Sequence, residues 1–188
     1  TGLECWSSYL RVEDCVFQNS TTGANFKYGG APTVSGCLFT ACSSGVVVAD
    51  SSAPFLRTNE VVSNTFAGLN VTGDPGPEVG RTLADANDIY DNAFFEVFNN
   101  GTATINADYN YWGDVCVGDS LFYGLVDYVP WTDELHTETY TECPTGIDGE
   151  TGKPFASYNY PNPFNPTTRS RYMVPDPGSM VRITVYDL

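Results

Sequence analysis

Residues 10–75, written as three lines of 22, read LRVEDCVFQNSTTGANFKYGGA, PTVSGCLFTACSSGVVVADSSA and PFLRTNEVVSNTFAGLNVTGDP. A fixed period of this length indicates a repeat architecture and therefore outweighs any local pattern. Small, polar and apolar residue types return together in the same columns of the three lines. The clearest columns are Cys15, Cys37 and Asn59; Phe17, Phe39 and Val61; and Ser20, Cys42 and Asn64.

A fourth copy follows after an interruption. Asn87-Asp-Ile-Tyr-Asp-Asn92 repeats the spacing of Asn59-Glu-Val-Val-Ser-Asn64, but the interval is 28 residues instead of 22. The segment between the copies includes Gly73–Leu83, which is rich in proline and glycine. We interpret Gly73–Leu83 as a loop that leaves the repeat at a corner. Loops inserted in repeat proteins often carry the binding function, so it is the first place to look for a ligand.

The composition of the repeat predicts short strands and turns. Val, Ile, Phe, Thr and Tyr occur in runs of three to five residues, and Gly, Asn, Ser and Pro separate them. Parallel stacking of successive copies, about 4.8 Å apart, places each column above itself and buries the apolar columns. The prediction is therefore an all-β solenoid of about four turns. The alternative is a β-sandwich with accidental spacing.

The repeat resembles the right-handed parallel β-helix proteins. The resemblance covers about residues 3–114 and rests on the period and on the recurring Cys, Phe, Val and Asn columns. It implies a β-helix over residues 1–114 in which those columns face inward. It does not imply one activity, because β-helix relatives include lyases and hydrolases of polysaccharides as well as proteins without catalysis.

The repetition stops at an aromatic segment, residues 107–114. Its Asn110-Tyr-Trp-Gly113 is similar to an element that ends many bacterial β-helix repeat proteins, where the rings cover the last turn. We interpret the segment as a cap. The alternative is a surface on which sugars stack, because aromatic faces also suit carbohydrate. That surface would consist of Tyr109, Tyr111, Trp112 and Trp131.

Two further segments complete the predicted organisation. Residues 115–154 are irregular and acidic, and we interpret them as a wrap and linker. Residues 155–188 contain Tyr160-Pro-Asn-Pro-Phe-Asn-Pro166 followed by alternating strand patterns. This segment resembles the first strands of the Ig-like sorting domain of type IX secretion. The resemblance implies export and an extracellular or cell-surface location.

The charge of the chain argues against nucleic acid as a partner. The formal net charge is −15, and the two lysines are Lys27 and Lys153. Ten acidic residues and no Lys or Arg lie between Ala107 and Glu150, which indicates a solvated surface or, as the alternative, cation binding. The sequence contains no apolar run of 18 residues, so no membrane span is expected.

The six cysteines favour an oxidising compartment, although cysteines inside a solenoid also act as apolar fillers. Cys116 and Cys143 lie outside the repeat, and we predict a disulfide between them. The other four leave two solutions open. One joins Cys15 to Cys37, and the other joins Cys37 to Cys42 and Cys5 to Cys15.

The residues give little support to catalysis. A polysaccharide lyase needs a basic residue, usually with calcium, and a hydrolase needs two carboxyl groups at a suitable separation. Asp85, Asp88 and Asp91 are weak candidates for a calcium or acid site, and Arg57 and Arg81 are the nearby bases. His136, the sole histidine, lies in a Thr-rich segment, so a catalytic triad is not expected. We predict no resident cofactor and no catalytic residue.

Three sequons could accept N-linked glycans. They begin at Asn19, Asn70 and Asn100, and Asn165 is excluded by the following proline. Asn, Ser and Thr are common at solenoid corners, so chance occurrence is the alternative.

The expected function is that of an extracellular structural or surface-display protein. We also expect head-to-tail assembly into a filament through open strand edges, because unpaired edges recruit strands from other chains. The alternative is a carbohydrate-active enzyme or a carbohydrate-binding module that uses Gly73–Leu83 and the Asp85, Asp88, Asp91 trio. The predicted assembly strand contains Met180, Val181, Ile183, Val185 and Leu188.

Overall fold

The computed structural model describes residues 1–144, 158–160 and 169–171. These residues form β-strands and two short 3-10 helices, Leu83–Asp85 and Asp119–Leu121, and they contain no α-helix. The strands, in chain order, are β1 (Leu3–Ser8), β2 (Arg11–Glu13), β3 (Val16–Gln18), β4 (Thr22–Gly30), β5 (Thr33–Ser35), β6 (Leu38–Thr40), β7 (Ser44–Ala49), β8 (Phe55–Arg57), β9 (Glu60–Val62), β10 (Ala67–Thr72), β11 (Glu78–Val79), β12 (Asp88–Tyr90), β13 (Phe95–Asn99), β14 (Ile105–Asn106), β15 (Phe122–Tyr123), β16 (Val126–Asp127), β17 (Trp131–Thr132), β18 (Thr139–Tyr140), β19 (Tyr158–Tyr160) and β20 (Arg169–Arg171).

Sixteen of these strands form a parallel solenoid with three sheets. Sheet A has the order β1-β4-β7-β10-β13-β15, sheet B has the order β2-β5-β8-β11-β14-β16, and sheet C has the order β3-β6-β9-β12. Each strand pairs with its equivalent one turn later. Sheets A and B contain six strands each, which corresponds to about six turns. The prediction of about four turns was therefore too low. The count was low because the first and last turns lack the repeated columns.

The predicted columns are confirmed by the strand register. In sheet C, Phe17 pairs with Phe39, and Phe39 pairs with Val61. The rings of Phe17 and Phe39 stack with centroids 4.9 Å apart. Phe39 is completely buried in a core that also contains Val34 and Val61. The 22-residue period therefore reports the spacing of stacked, inward-facing side chains.

The extra residues of the fourth turn lie later than expected. Glu78–Val79, inside the predicted loop Gly73–Leu83, continues sheet B by pairing with Phe55–Leu56. From sheet B to sheet C, the chain advances nine residues, from Val79 to Asp88. The same step in the previous turn advances four residues, from Leu56 to Glu60. The loop thus begins at Gly80. Proline and glycine upstream of it form an ordinary turn, in which Pro75 and Pro77 are buried.

Asn side chains line the corner between sheets B and C, which we call the first corner. The Oδ1 atom of Asn59 accepts the backbone N–H of Cys37 at 3.1 Å. The Oδ1 atom of Asn87 in turn accepts the backbone N–H of Asn59 at 3.0 Å and its Nδ2 at 2.9 Å. Asn110 repeats both contacts toward Asn87, at 2.9 and 2.8 Å. Each amide therefore satisfies the backbone of the turn before it.

A second Asn ladder lies at the corner between sheets C and A, the second corner. Asn64 accepts the backbone N–H of Cys42 at 3.0 Å, and Asn92 accepts the backbone N–H of Asn64 at 3.0 Å. The Nδ2 atom of Asn64 also donates to the carbonyl oxygen of Phe39 at 3.2 Å. The two ladders together fix the bends on both sides of sheet C.

Glycines stand opposite the second ladder at the start of sheet A. A Cβ atom at Gly45 would lie 2.7 Å from Cγ1 of Val61 and 3.0 Å from Nδ2 of Asn64. Gly68 in the next turn is equally crowded, by Ile89 and Asn92. The column accepts no side chain because the core and the amide ladder occupy its space.

Glu96 lies where both the column of Gly45 and Gly68 and the second Asn ladder end. It lies in β13 between the residues that pair with Ala67 and Leu69, which is the position of Gly68 one turn earlier. Its carboxylate accepts a hydrogen bond from Nδ2 of Asn92, where an Asn of a following turn would otherwise accept it. The side chain is 4% exposed. Burial raises the pKa of Glu96 to about 7, although the hydrogen bonds from Asn92 oppose the shift.

Aromatic side chains close the last turns. Trp112 meets Phe122 edge to face, with centroids 4.9 Å apart, and Phe122 stacks on Tyr128 at 4.4 Å. Trp131 packs beside Tyr128 and donates its Nε1–H to the carbonyl oxygen of Val115 at 3.0 Å. Tyr111, Trp112 and Trp131 are buried, so their faces cannot form the alternative sugar-stacking surface.

The segment after residue 114 is only partly a wrap, because β15 and β16 extend sheets A and B. It then forms the β17–β18 hairpin, in which Trp131 pairs with Tyr140. Cys116 and Cys143 form the predicted disulfide. The solenoid thus continues to Asp127, beyond the predicted boundary at residue 114.

The remaining four cysteines are thiols in the structure. Strand β6 separates Cys37 from Cys42, and five residues of extended chain span about 16 Å. This distance exceeds the reach of a disulfide, so the proposed Cys37–Cys42 pairing is wrong. Cys5 is buried in β1 of sheet A, where it pairs with Phe26.

The chain divides after Cys143 into two units. The described strands of the second unit are the antiparallel pair β19 and β20, in which Tyr158 pairs with Arg171. The rest of the predicted Ig-like domain and the predicted assembly strand lie outside the described residues. Among the described residues, no helix has the length and apolarity to cross a membrane. The assembly-strand residues concerned are Met180, Val181, Ile183, Val185 and Leu188.

We expect Phe39→Ala to lower the free energy of unfolding by about 3–5 kcal/mol, because it leaves a cavity in a fully buried column. Urea denaturation followed by circular dichroism measures the loss. The control is Phe94→Ala, since Phe94 is 67% exposed. Its loss should stay near about 0.5 kcal/mol. Equal losses for the two variants would contradict the register.

We expect Glu96→Gln to stabilise the chain at neutral and alkaline pH but not in acid. The folded-state pKa of about 7 lies above the ordinary value of 4.5, so protonation of this carboxyl stabilises the folded chain. The contribution of Glu96 to the free energy of unfolding is therefore fully present below pH 4.5. It falls as the pH rises toward 7, by roughly 3 kcal/mol in total. Glutamine keeps the hydrogen-bond acceptor and removes this loss.

Urea denaturation at a series of pH values measures the effect of Glu96→Gln. The matched control is Glu142→Gln, which replaces an exposed carboxylate and should keep the wild-type profile. A Glu96→Gln curve parallel to that of the wild type across the whole pH range would show that the buried carboxyl does not control the pH dependence.

Candidate functional site

The outer face of sheet C carries two carboxyl groups side by side. Glu60 in β9 pairs directly with Asp88 in β12. Successive side chains alternate between the two faces of a strand, and their neighbours Val61 and Ile89 are buried in the core. Glu60 and Asp88 therefore point outward from adjacent strands. The parallel register holds the carboxyl groups on one surface without any loop.

His136 joins these carboxyl groups from the loop of the β17–β18 hairpin. Its Nε2 atom lies 3.0 Å from Oδ1 of Asp88. Asp133 fixes the loop, because its carboxylate accepts the backbone N–H groups of Thr137 and Glu138 at 2.7 and 2.9 Å. Although burial opposes it, these hydrogen bonds hold the pKa of Asp133 below its ordinary value. The imidazole thus has a defined position over Asp88.

The environments of Glu60 and His136 both favour the protonated form. Burial, together with the negative charge of Asp88, raises the pKa of Glu60, and a hydrogen bond from Tyr90 partly offsets the rise. The hydrogen bond to Asp88 raises the pKa of His136 against the effect of burial. Glu60 therefore retains its proton to higher pH than an ordinary glutamic acid, and His136 retains its positive charge to higher pH than an ordinary histidine.

This arrangement can donate and accept protons. A carboxylic acid beside a carboxylate is the pattern by which two carboxyl groups take the roles of acid and base. The partly exposed side chains of Glu60, Asp88 and Tyr90 form the accessible part of the group. We call these three residues and His136 the sheet C cluster.

The predicted Asp85, Asp88 and Asp91 trio is not brought together. Asp85 contacts Thr82 at 2.9 Å and Arg57 at 3.9 Å, whereas Asp88 contacts His136. Asp91 lies exposed at the second corner. Within residues 1–144 and the two described strands beyond them, no three His, Cys, Asp or Glu side chains are placed to hold a metal ion.

The candidate bases of a lyase are engaged elsewhere. The guanidinium groups of Arg57 and Arg81 lie over the ring of Phe55, at 5.7 and 5.8 Å from its centroid. Arg81 also pairs with Glu78 at 3.2 Å. These contacts lie on the outer face of sheet B and link the loop that begins at Gly80 to the solenoid.

The three sequons lie in different environments. Asn19 and Asn100 are exposed at turns. Asn70 lies within β10, partly buried, with its Nδ2 atom 3.5 Å from Oγ of Ser44. In the third sequon, Thr102 donates its hydroxyl to Asp74 at 3.0 Å. The accessible asparagines for a glycan are therefore Asn19 and Asn100.

One group of exposed aromatic rings lies on the outer face of sheet A in its last turns, away from the cap. Phe98 stacks on Tyr123 with centroids 4.7 Å apart, and Phe94 and Tyr123 are 67% and 48% exposed. This aromatic group was not predicted from the sequence. It consists of Phe66, Phe94, Phe95, Phe98 and Tyr123.

Sequence reasoning found one member of the sheet C cluster and missed its partners. A signal for Glu60 was present, because the fourth copy of the repeat aligns Asp88 with Glu60. No sequence signal places His136, since it lies 48 residues from Asp88 and outside the repeat.

Comparison with known families agrees with this architecture. Residues 5–119 match the family described as a right-handed beta helix region. The chain belongs to this family. No curated protein and no solved structure matches it. Membership in the right-handed beta helix family establishes the fold and leaves the activity open, so the sheet C cluster has to be judged from its own chemistry.

We expect His136→Gln to weaken folding in acid and to have little effect in alkali. The pKa of His136 is raised in the folded chain, so its contribution is fully present below the unfolded pKa and is lost as the pH rises through the folded pKa. The expected loss below about pH 6.5 is roughly 0.5–1 kcal/mol, because the pair is partly exposed.

Urea denaturation of His136→Gln, Asp88→Asn and the double variant gives the coupling energy at each pH. The coupling should vanish in alkali. Glu134→Gln, which removes an exposed carboxylate from the same loop, is the control and should show no coupling with His136. A coupling energy that is constant across the pH range would contradict a charged pair.

Proposed function

We propose that the chain is a structural module of an extracellular or cell-surface protein, in which the β-helix serves as a rigid support. The observation that carries the proposal is that polar side chains suited to chemistry are used to hold the solenoid together. The Asn ladders satisfy buried backbone groups at both corners. The contact between His136 and Asp88 fastens the β17–β18 hairpin to sheet C.

Further contacts of the same kind support the proposal. The carboxylate of Asp74 accepts the backbone N–H of Thr102 at 2.7 Å and that of Ala103 at 3.2 Å. It thereby ties the turn after β10 to the turn after β13. The hydrogen bonds from Thr102 and Ala103 lower the pKa of Asp74. Adjacent turns of the solenoid are thus joined at their edges as well as through their strands.

The extracellular location is supported by the disulfide and by the charge. Disulfides persist in oxidising compartments, and Cys116–Cys143 joins the segment after the cap to the terminal hairpin. A net charge of −15 favours solubility and opposes self-aggregation of a protein with long strand edges. Export through the type IX route is part of this proposal and rests on the Tyr160–Pro166 motif.

Head-to-tail assembly into a filament is a finer form of the proposal. Sheet A has β1 and β15 as its outer strands, and sheet B has β2 and β16. Outer strands can pair with strands of another chain. Light scattering at micromolar concentration and electron microscopy test this form, and a stable monomer without fibres would refute it.

The second candidate is a carbohydrate-active enzyme or a carbohydrate-binding module. It is favoured by the sheet C cluster, in which Glu60 can act as an acid beside Asp88. An enzyme of this kind would cleave the glycan at the outer face of sheet C. A module without turnover could instead use the exposed rings of Phe94 and Tyr123.

Two measurements separate these functions. Cells that express the natural protein should be labelled by antibodies to the solenoid without permeabilisation, which tests surface display. Purified chain is also incubated with neutral and acidic polysaccharides, with and without calcium, and new reducing ends and unsaturated products are measured. We expect surface labelling and no turnover.

Variants identify the source of any activity. Turnover that is abolished by Glu60→Gln or Asp88→Asn, but retained in the exposed control Asp50→Asn, would refute the structural proposal and establish the enzyme. Binding without turnover that is lost in Tyr123→Ala would establish the module. Absence of labelling on intact cells would refute display.

A further inference from the structure

Two thiols stand above one another at the first corner of the solenoid. Cys15 precedes β3 and Cys37 precedes β6, and the adjacent residues Val16 and Leu38 are paired. The backbone N–H of Leu38 donates to the carbonyl oxygen of Cys15 at 2.9 Å. Consecutive parallel strands lie about 4.8 Å apart. Disulfides join residues whose Cα atoms are about 4.4–6.8 Å apart, so the backbone spacing suits a bond between these residues.

The two sulfur atoms also approach the same part of β2. The thiol of Cys15 donates to the carbonyl oxygen of Glu13 at 3.1 Å, and the thiol of Cys37 lies 3.6 Å from the carbonyl oxygen of Val12. Val12 and Glu13 are consecutive residues. Burial raises the pKa of Cys37, and the neighbouring thiol of Cys15 contributes to its electrostatic environment.

The two thiols differ in their access to solvent. Cys37 is 2% exposed, whereas Cys15 is partly exposed. An oxidant can therefore reach Cys15 first. The other two thiols have no equivalent partner, because Ser20 precedes Cys42 in its column and Phe26 pairs with Cys5.

The amide ladder of the first corner stops where the cysteines begin. Asn59 accepts the backbone N–H of Cys37, whereas the sulfur of Cys37, a weaker acceptor than an amide oxygen, receives the hydrogen bond from the backbone N–H of Cys15. A thiol thus takes the place of the amide between the first two turns, and the contact there is weaker than the contact between later turns. A covalent bond between the same two positions would strengthen this connection.

We propose that Cys15 and Cys37 form a second disulfide, which joins the first two turns of the solenoid. The oxidant is a low-molecular-weight disulfide such as oxidised glutathione. The Cys15 thiolate attacks one sulfur of the oxidant, forms a mixed disulfide and releases one thiolate. The Cys37 thiolate then attacks the Cys15 sulfur and releases the second thiolate. Two protein thiols lose two electrons and two protons, and the oxidant is reduced to two thiols.

The bond is tested by intact mass after thiol exchange. Native chain is fully reduced, then treated with oxidised glutathione and quenched in acid. The wild type should lose four hydrogen atoms, two at Cys116–Cys143 and two at Cys15–Cys37. Cys15→Ser should lose two. Cys42→Ser, the matched control with a thiol in the neighbouring column, should lose four.

A second variant traps the intermediate. Cys37→Ser should retain one glutathione on Cys15, because the thiol that would displace it is absent. Peptide mapping without reduction should recover Cys15 and Cys37 as one linked species, and the oxidised wild type should unfold at a higher temperature than oxidised Cys15→Ser.

Two results would overturn the proposal. One is a wild type that loses only two hydrogen atoms, and the other is a second linkage that maps to a different pair. Alkylation of the wild type is a further check that does not depend on any variant. Iodoacetamide should label Cys15 before oxidation and should not label it afterwards, so unchanged labelling would also refute the disulfide.

Discussion

Buried backbone N–H and C=O groups need hydrogen-bond partners, and at a bend they cannot find them in a neighbouring strand. The rest of this solenoid depends on how the corners supply these partners. At the two corners beside sheet C, an Asn side chain accepts the backbone N–H of the preceding turn and donates to one of its carbonyl groups. An unsatisfied buried N–H costs about 1–3 kcal/mol, so each amide fixes the position of the preceding turn relative to its own. The division of the solenoid into three sheets follows from these fixed bends.

The same ladders determine which residues are tolerated nearby. Gly45 and Gly68 have no side chain because the amides and the inward residues of sheet C fill the space. Phe39 and Val61 can then pack against the backbone of sheet A. Glu96 departs from this rule in the last complete turn, where its carboxylate provides the acceptor that a further Asn would have provided. The need to hydrogen-bond the buried polar groups of the second corner therefore connects the packing of the core, the column of glycines and the buried carboxyl of Glu96.

The sequence predicted the parts of the fold that repeat. Columns such as Phe17, Phe39 and Val61 share a period because their side chains are stacked, so the period could be read directly. The last turn was missed because β15 and β16 extend sheets A and B after residue 114 without the repeated columns. The position of the extra residues was also misjudged. Proline and glycine at residues 73–77 suggested a loop where the chain makes an ordinary turn.

The candidate site was less predictable for a physical reason. Alignment of the copies brings Glu60 beside Asp88, but the contact of Asp88 with His136 depends on a hairpin that folds back after the repeat has ended. Proximity within a solenoid follows from the period, whereas proximity to a terminal hairpin follows from packing that leaves no periodic pattern. The disulfide between Cys116 and Cys143 was predictable because both cysteines lie outside the columns.

The stacking of sheet A sets a length scale. Its six strands are separated by five steps of about 4.8 Å, which gives an axial extent of about 24 Å. A duplication of one 22-residue copy would lengthen the module by a single step and leave its cross-section unchanged, whereas an insertion at a corner, such as the loop that begins at Gly80, changes the cross-section and adds no length. Axial reach and lateral surface can therefore vary independently in this chain.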